Sequence, residues 1–280
     1  MKFNQNGEAS ALNYDEETKV RMSCDDYNNR VGNLNEIDGY DCPKCKNRGM
    51  ISVPKQNSAG RWAEWHTMCD CRKTRQTLRK LKQSGLKNMI HDYTFDKYIA
   101  DEPWQKAIKA GALRFIEDEE NTWFFIGGAS GAGKTHICTA IAAHYLNQGK
   151  FVKYMLWRDD AVKLKANVND SEAYDNMMHE LKTADVLYID DLFKTGKNND
   201  GMPQKPTGAD INIAFELLNY RYNNPELITL ISSESRVTDI LDIDEAIGGR
   251  IAERTIQFGY GINIKPDRNK NYRLKGSVEL

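Results

Sequence analysis

Eight residues, Gly128-Ala129-Ser130-Gly131-Ala132-Gly133-Lys134-Thr135, fit the spacing G-x-x-x-x-G-K-[ST] at every fixed position. That spacing builds a phosphate-binding loop. Glycines let backbone N–H groups close around phosphate oxygens without Cβ clashes. Lys134 is expected to reach the β- and γ-phosphates of ATP, and the Thr135 hydroxyl to bind Mg²⁺. His136 follows at the start of a helix whose N-terminus faces the same charge. A second constellation, Asp190-Asp191, ends an apolar run. Asp190 is expected to hold Mg²⁺ through water, and Asp191 to orient and activate the attacking water.

Two further polar groups follow comparable breaks. Ser232-Ser233-Glu234 ends the apolar run 227–231. Ser233 and Glu234 are joint candidates to sense the γ-phosphate, the other reading being a helix cap. Arg250 comes just after Gly248-Gly249. It is read either as an arginine finger reaching a neighbouring subunit or as a surface salt bridge to Glu253 or Asp244.

The cysteines suggest different chemistry. Cys42-Pro43-Lys44-Cys45 and Cys69-Asp70-Cys71 are two close thiol pairs, 23 residues apart. Brought together they form a four-sulfur tetrahedral site suited to Zn²⁺. Four unliganded thiols is the other reading, and His66 and Cys24 are substitute ligands. A closed four-thiolate site is structural, with no open position for catalysis.

These residues need elements to position them. Residues 122–126 form an aromatic strand leading into the loop, and 136–147 a helix with Ile137, Ala140, Ile141 and Tyr145 on one side. Further strands are expected at 151–157, 185–189, 227–231 and 255–258, with helices over 159–168 and 171–184. Alternating strands and helices imply an α/β fold, a five-stranded parallel sheet with helices on both faces. ATP would sit at the carboxyl ends of the strands. Between the cysteine pairs, 50–53 and 61–65 read as a hairpin turning at Asn57-Ser58-Ala59-Gly60, a zinc-ribbon-like layout.

The chain has 280 residues, 40% hydrophobic and 28% charged, room for about two domains. A net charge of -1 excludes a uniformly basic nucleic-acid binder. Local patches remain: residues 1–41 hold nine acids against four bases, and 72–88 hold seven bases and no acid. The acidic stretch is expected to be poorly ordered until a partner holds it. The basic stretch reads as a helix that contacts phosphate backbone or an acidic partner, or as a solvated face. In the polar stretch 194–206, Lys194, Lys197 and Lys205 are candidate contacts to DNA or a neighbouring subunit. No run approaches 18 apolar residues, and the first eight residues carry no apolar signal core. A cytoplasmic protein is expected.

Together these pieces resemble an AAA+ ATPase, and more narrowly the bacterial and phage replicative-helicase loaders of the DnaC/DnaI type. The carrying residues are Gly128 to Thr135, Ile189-Asp190-Asp191-Leu192-Phe193-Lys194, Ile231-Ser232-Ser233-Glu234 and Ile247-Gly248-Gly249-Arg250-Ile251, with Tyr93-Thr94-Phe95-Asp96-Lys97-Tyr98 leading in. The resemblance implies a loader, with a lean towards phage origin, that binds the replicative helicase through its N-terminal region and places it on single-stranded DNA. It implies self-assembly into a spiral or ring, with Arg250 in the next subunit's site. The implied organisation is an acidic segment (1–40), a cysteine zinc module with a basic helix (41–90), an AAA+ domain without a typical lid (91–260) and a basic tail (261–280). Where many AAA+ ATPases carry Glu, Asp191 is one methylene shorter, so hydrolysis is expected to be slow without a partner. Two other functions share these motifs: a transposition-helper ATPase, and a zinc-dependent adaptor that binds ATP as a switch with little hydrolysis.

Overall fold

The computed structural model describes residues 14–81, 89–196 and 204–272. They divide into two compact units, Met1–Gln76 and Thr77–Leu280.

The first unit is a hairpin with a helix laid on it. Strand β1 (Met50–Gln56) pairs antiparallel with β2 (Trp62–Met68), Met50 opposite Met68 and Gln56 opposite Trp62. Asn57 closes the turn, its side-chain oxygen accepting from the N–H groups of Ala59 and Arg61. Helix α1 (Glu16–Asn29) starts at Asp15, whose carboxylate accepts from the Thr18 N–H at 2.7 Å. Helix α2 (Leu34–Asp38) follows. The described part of the acidic stretch is therefore helical rather than poorly ordered. Its anchorage is polar, which hydrophobic periodicity does not report. Asn28 exchanges two hydrogen bonds with the backbone of Ser52, at 2.8 and 2.9 Å, and Ser23 donates to Glu64. Cys24 is buried, with the Ser52 hydroxyl donating to its sulfur. Residues 1–13 lie outside the described residues. Helix α3 (Cys71–Leu81) opens on the last cysteine of the second pair.

The second unit carries the sheet. In chain order it comprises α4 (Met89–Asp92), α5 (Pro103–Glu117), β3 (Trp123–Gly128), α6 (Lys134–Asn147), β4 (Val152–Leu156), α7 (Trp157–Ala166), α8 (Ser171–Thr183) and β5 (Val186–Asp190). Then follow α9 (Gly208–Tyr222), β6 (Ile228–Ser233), α10 (Val237–Ile243), α11 (Glu245–Thr255) and β7 (Gly261–Ile264). The five strands are all parallel, in the order β4-β5-β6-β3-β7. Every residue of β3, β5 and β6 is buried, as a sheet covered on both faces requires. Phe125, Leu187, Ile189 and Ile231 join one core with Leu164, Leu217 and Ile251 from the helices. Phe124 faces the other way and meets Phe115 of α5 at 5.4 Å.

The fifth strand is not where the sequence pattern put it. Thr255 closes α11, its hydroxyl donating to the Ile251 carbonyl at 2.6 Å, and Ile256 and Phe258 are exposed in the turn that follows. The strand is 261–264, inside the expected basic tail, and it pairs with β3. Two short runs, 255–258 and 261–264, carry similar alternation, and only pairing with a central strand distinguishes them. Among the described residues no helical bundle follows β7.

A second feature escaped the sequence pattern. Arg221 is fully buried on α9. It donates to the carbonyls of Leu181, Lys182, Ala184 and Ile228 and to the Thr229 hydroxyl, tying α9 to the end of α8 and to β6.

Candidate functional site

Helix α6 begins at Lys134, two residues before the expected start, so the loop Ala129–Gly133 is a tight bridge between strand and helix. Gly128 has φ +108°, and a Cβ there would stand 2.0 Å from the Ile264 carbonyl oxygen. At Gly131 (φ +71°) a Cβ would meet the Asn271 side chain at 1.9 Å, and the Tyr272 N–H donates to the Gly131 carbonyl. Glycine is required at Gly128 by conformation and by space, and at Gly131 by conformation. Lys134 is buried, and its ammonium donates to the carbonyls of Gly128 and Ala129 at 2.9 and 2.8 Å. Burial pushes its pKa down. An ammonium held this way gains a stronger partner when phosphate arrives.

Strand β5 brings Asp190 to the foot of that helix. The Thr135 hydroxyl donates to Asp190 Oδ1 at 3.3 Å, so the two residues expected to share Mg²⁺ are adjacent. Tyr154, Tyr188 and Ser232 also donate hydroxyls to this carboxylate. Neither tyrosine was picked out from the sequence. Asp191 sits beyond, at φ +59°, its own N–H donating to the Ser232 hydroxyl at 3.1 Å. Lys194 donates to Asp191 Oδ2 at 2.8 Å and lies 3.2 Å from Glu234 Oε1. Burial works to raise the Glu234 pKa, but the charges of Lys194 and Lys134 outweigh it and hold it low.

A cavity of about 260 Å³ is lined by Ser130 to His136, by Asp191, Lys194 and Glu234, and by Tyr93, Tyr98 and Tyr272. The Tyr98 hydroxyl is buried with no hydrogen-bond partner among the described residues. Such a group costs free energy unless something meets it, which suits a polar ligand in this cavity. His136 does not turn its ring to the loop. Its Nε2 pairs with the Thr94 carbonyl at 2.8 Å and its ring stacks on Tyr93 at 4.6 Å, so it builds the cavity wall.

Two sequence expectations need correction. Ser233 is fully buried at the end of β6, its hydroxyl donating to the Leu192 carbonyl and accepting from the Ser235 N–H. It is committed to the turn, and Glu234 is the member of the pair that lines the cavity. Arg250 does not follow a break, because α11 runs through Gly248-Gly249 unbroken. A Cβ at Gly248 would meet the Leu241 backbone at 2.7 Å, so this glycine serves helix packing. Nor does Arg250 pair with an acid among the described residues. It donates to the Ala246 carbonyl and to Asn219, over the rings of Phe215 and Tyr222 at 5.0 and 5.5 Å. Asp244 caps α11, and Glu253 takes the Tyr222 hydroxyl. Arg250→Ala is expected to lower stability by about 1 kcal/mol, read from the urea midpoint.

In the first unit the four cysteine sulfurs lie within 4.8 Å of one another, all buried and none in a disulfide. Cys42 and Cys69 are 3.8 Å apart, Cys45 and Cys71 3.5 Å. A tetrahedral ion with Zn–S bonds of about 2.3 Å needs sulfurs about 3.8 Å apart, so the donor set fits zinc and could hold it. Lys46 and Asn47 are left-handed, and this tight turn brings the Gly49 N–H to the Cys45 sulfur at 3.2 Å. Burial lifts the Cys69 and Cys71 thiols. At Cys45 the same burial is outweighed by the Gly49 N–H and adjoining thiols, which bring it to about 7. Cys24 bonds to Ser52, and His66 is a half-exposed neighbour of Tyr27; neither joins the cluster.

Arg75 supports the cluster from behind. It is buried, pairs with buried Asp38 and donates to Asn47 Oδ1, which also accepts the Cys42 N–H. The sequence placed Arg75 in a basic helix read either as a contact to phosphate backbone or an acidic partner or as a solvated face. In fact one side of α3, Thr74 and Arg75, is buried, while Arg72, Lys73 and Arg79 are exposed. The full-length protein is expected to carry about one zinc per chain by atomic absorption, falling to near zero in Cys69→Ala.

A basic cavity of about 590 Å³ lies between α7 and the segment after β5, lined by Arg158, Lys163, Lys165, Lys194 and Lys205. Lys163 and Lys165 are paired with Asp160 and Asp210. Lys197 lies outside the described residues.

Comparison with known proteins agrees with this geometry. Residues 62–278 match a family model described as IstB-like ATP binding protein. The chain is similar to the phage-like element PBSX protein XkdC of Bacillus subtilis (strain 168), 33% identical over 249 residues, covering 85% of this chain and 87% of that protein. It is 25% identical over 118 residues to the replicative helicase loader DnaC of Buchnera aphidicola subsp. Acyrthosiphon pisum (strain APS), covering 41% of this chain and 48% of that protein. Among solved structures it is similar to the crystal structure of DnaI, with a TM-score of 0.50 and 18% identity over 64% of this chain and 93% of that one, a likeness of fold. No helix among the described residues is long and apolar enough to cross a membrane.

Proposed function

Because this chain belongs to the IstB-like ATP binding protein family, we propose that it is an ATP-hydrolysing loader that delivers a replicative DNA helicase onto single-stranded DNA. The observation that carries the reading is that Lys134, Thr135 and Asp191 line one cavity, with Asp190 directly behind it on the Thr135 hydroxyl. The similarity to the DnaC loaders and the cysteine module favour a loader among the ATPases with this site.

In this reading Lys134 leaves the loop carbonyls for the β- and γ-phosphates of ATP. Thr135 and Asp190 are the residues that would hold Mg²⁺, which when bound would neutralise charge on the phosphates. Backbone N–H groups of 129–135 close on the phosphate oxygens. Asp191 accepts a hydrogen bond from the attacking water and takes its proton as the water oxygen bonds to the γ-phosphorus and the ADP oxygen departs. Tyr98 meets a polar atom of the nucleoside. Self-assembly into a spiral or ring draws Arg250 off Asn219 and the Ala246 carbonyl to reach the next subunit's site, and the zinc-bound module engages the helicase. Single-stranded DNA follows the basic cavity near Arg158 and Lys205.

The test is ATP turnover by the purified chain with and without single-stranded DNA. DNA-stimulated turnover that disappears in Asp191→Asn, with ATP binding retained, is the expected result. Tight ATP binding with no turnover under either condition, or with helicase added, favours the switch-like adaptor. A transposition accessory ATPase is the second reading, since the family model is described by ATP binding alone. Capture of a helicase by the full chain, lost on zinc removal, separates the loader from it.

A further inference from the structure

Lys194 is placed by a turn that the chain holds in an unfavourable conformation. Asp191 (φ +59°) and Phe193 (φ +61°) are both left-handed, a region that non-glycine residues avoid at a cost of order 1–3 kcal/mol each. The surroundings enforce it. The Leu192 N–H donates to the Ser232 carbonyl at 2.9 Å, the Ser233 hydroxyl donates to the Leu192 carbonyl at 2.7 Å, and Leu192 and Phe193 are buried. The consequence is that Lys194 folds back over Asp191 and into the nucleotide cavity. An ordinary surface ion pair requires no such turn and contributes little. The side chain is only 31% exposed and bridges two carboxylates, Asp191 and Glu234, on the phosphate side of the cavity.

We propose that Lys194 is the residue that reads the γ-phosphate: it clamps Asp191 and Glu234 while the site is empty, and moves to the terminal phosphate of ATP, freeing Asp191 for water. The inference rests on the ATPase reading above and adds a specificity residue to it. The charges allow the exchange. The two carboxylates carry one negative charge each, whereas the terminal phosphate concentrates about two on a single group with three acceptor oxygens. ADP lacks that group, so Lys194 stays on Asp191 and the diphosphate gains nothing from it. The move also couples occupancy to chemistry, since Asp191 accepts from water only once Lys194 has left. This assigns Lys194 to the nucleotide rather than to DNA.

The experiment is calorimetric binding of ADP and of the non-hydrolysable β,γ-methylene analogue of ATP to the full chain with Mg²⁺. Wild type is expected to prefer the triphosphate. Lys194→Met should weaken triphosphate binding about tenfold or more and leave ADP nearly unchanged. Lys194→Arg should restore most of the preference. The double variant K194M/E234Q keeps the net charge of the site constant, and it should lose the preference as the single variant does. Equal weakening of both nucleotides in K194M/E234Q, or no change in either, would overturn the proposal. A wild-type chain that binds neither nucleotide overturns the ATPase reading and the proposal together. Nucleotide binding that depends on Lys134 but not on Lys194 overturns the proposal alone.

Discussion

Lys134→Ala is expected to reduce ATP turnover by at least about 100-fold, and to weaken ATP binding by roughly 10–100-fold. The two numbers have separate origins. Binding loses charge-assisted hydrogen bonds to phosphate, worth about 1.5–3 kcal/mol each. Turnover loses a preorganised cation where charge develops in the transition state, an effect typically of order 10²–10³ in rate. The lysine is already aimed, because its ammonium lies within 2.9 Å of two loop carbonyls and within the cavity wall. Stability should change little, since relief of a desolvated cation is offset by loss of the donor to the Gly128 and Ala129 carbonyls. The measurement is steady-state turnover beside equilibrium ATP binding, with urea unfolding to confirm the fold. A variant that retains full turnover would remove the phosphate loop from the chemistry.

Arg221→Met is expected to destabilise the second unit by about 3 kcal/mol or more, enough to unfold a marginal domain at 37 °C. The guanidinium supplies donors to four carbonyls and one hydroxyl in the core. Methionine matches the stem but leaves those acceptors buried and unmet, at about 1–3 kcal/mol for each one that cannot find water. Burial pushes the Arg221 pKa down to about 9, so it is still charged at neutral pH. The carbonyls it meets include those at the C-terminal end of α8, where a cation is favoured. Arg221→Lys keeps the charge but has fewer donors and no planar fork, and should recover only part of the loss. Urea midpoints of the three proteins decide the matter. An unchanged midpoint in the methionine variant would mean that the acceptors reach water.

The phosphate loop, the apolar strands before and after it, and the Asp190-Asp191 pair were legible in the sequence because their chemistry is local. A glycine pattern that closes on phosphate must be contiguous, and a strand buried on both faces must read as an apolar run. The cysteine pairs were legible for the same reason, since spacing alone puts two thiols in reach of one ion. Their convergence, and the hairpin between them, followed from turn residues at 57–60.

What the sequence could not carry depends on long-range geometry. Arg75 and Arg221 look like solvated cations until the fold buries them against Asp38 and against the carbonyls of α8 and β6. Whether a charge is inside is decided by residues far away in the chain. The same holds for Ser233, spent on the Leu192 carbonyl rather than on phosphate, and for Arg250, held by Asn219 and two aromatic rings. The fifth strand was misplaced because two short alternating runs differ only in which one pairs with β3. The turn that folds Lys194 over Asp191 rests on left-handed residues with no glycine to announce them. Composition and spacing thus determined the kind of chemistry and the sheet that supports it. Tertiary contacts decided which charges are buried, which polar groups are already engaged, and which remain free to meet a ligand.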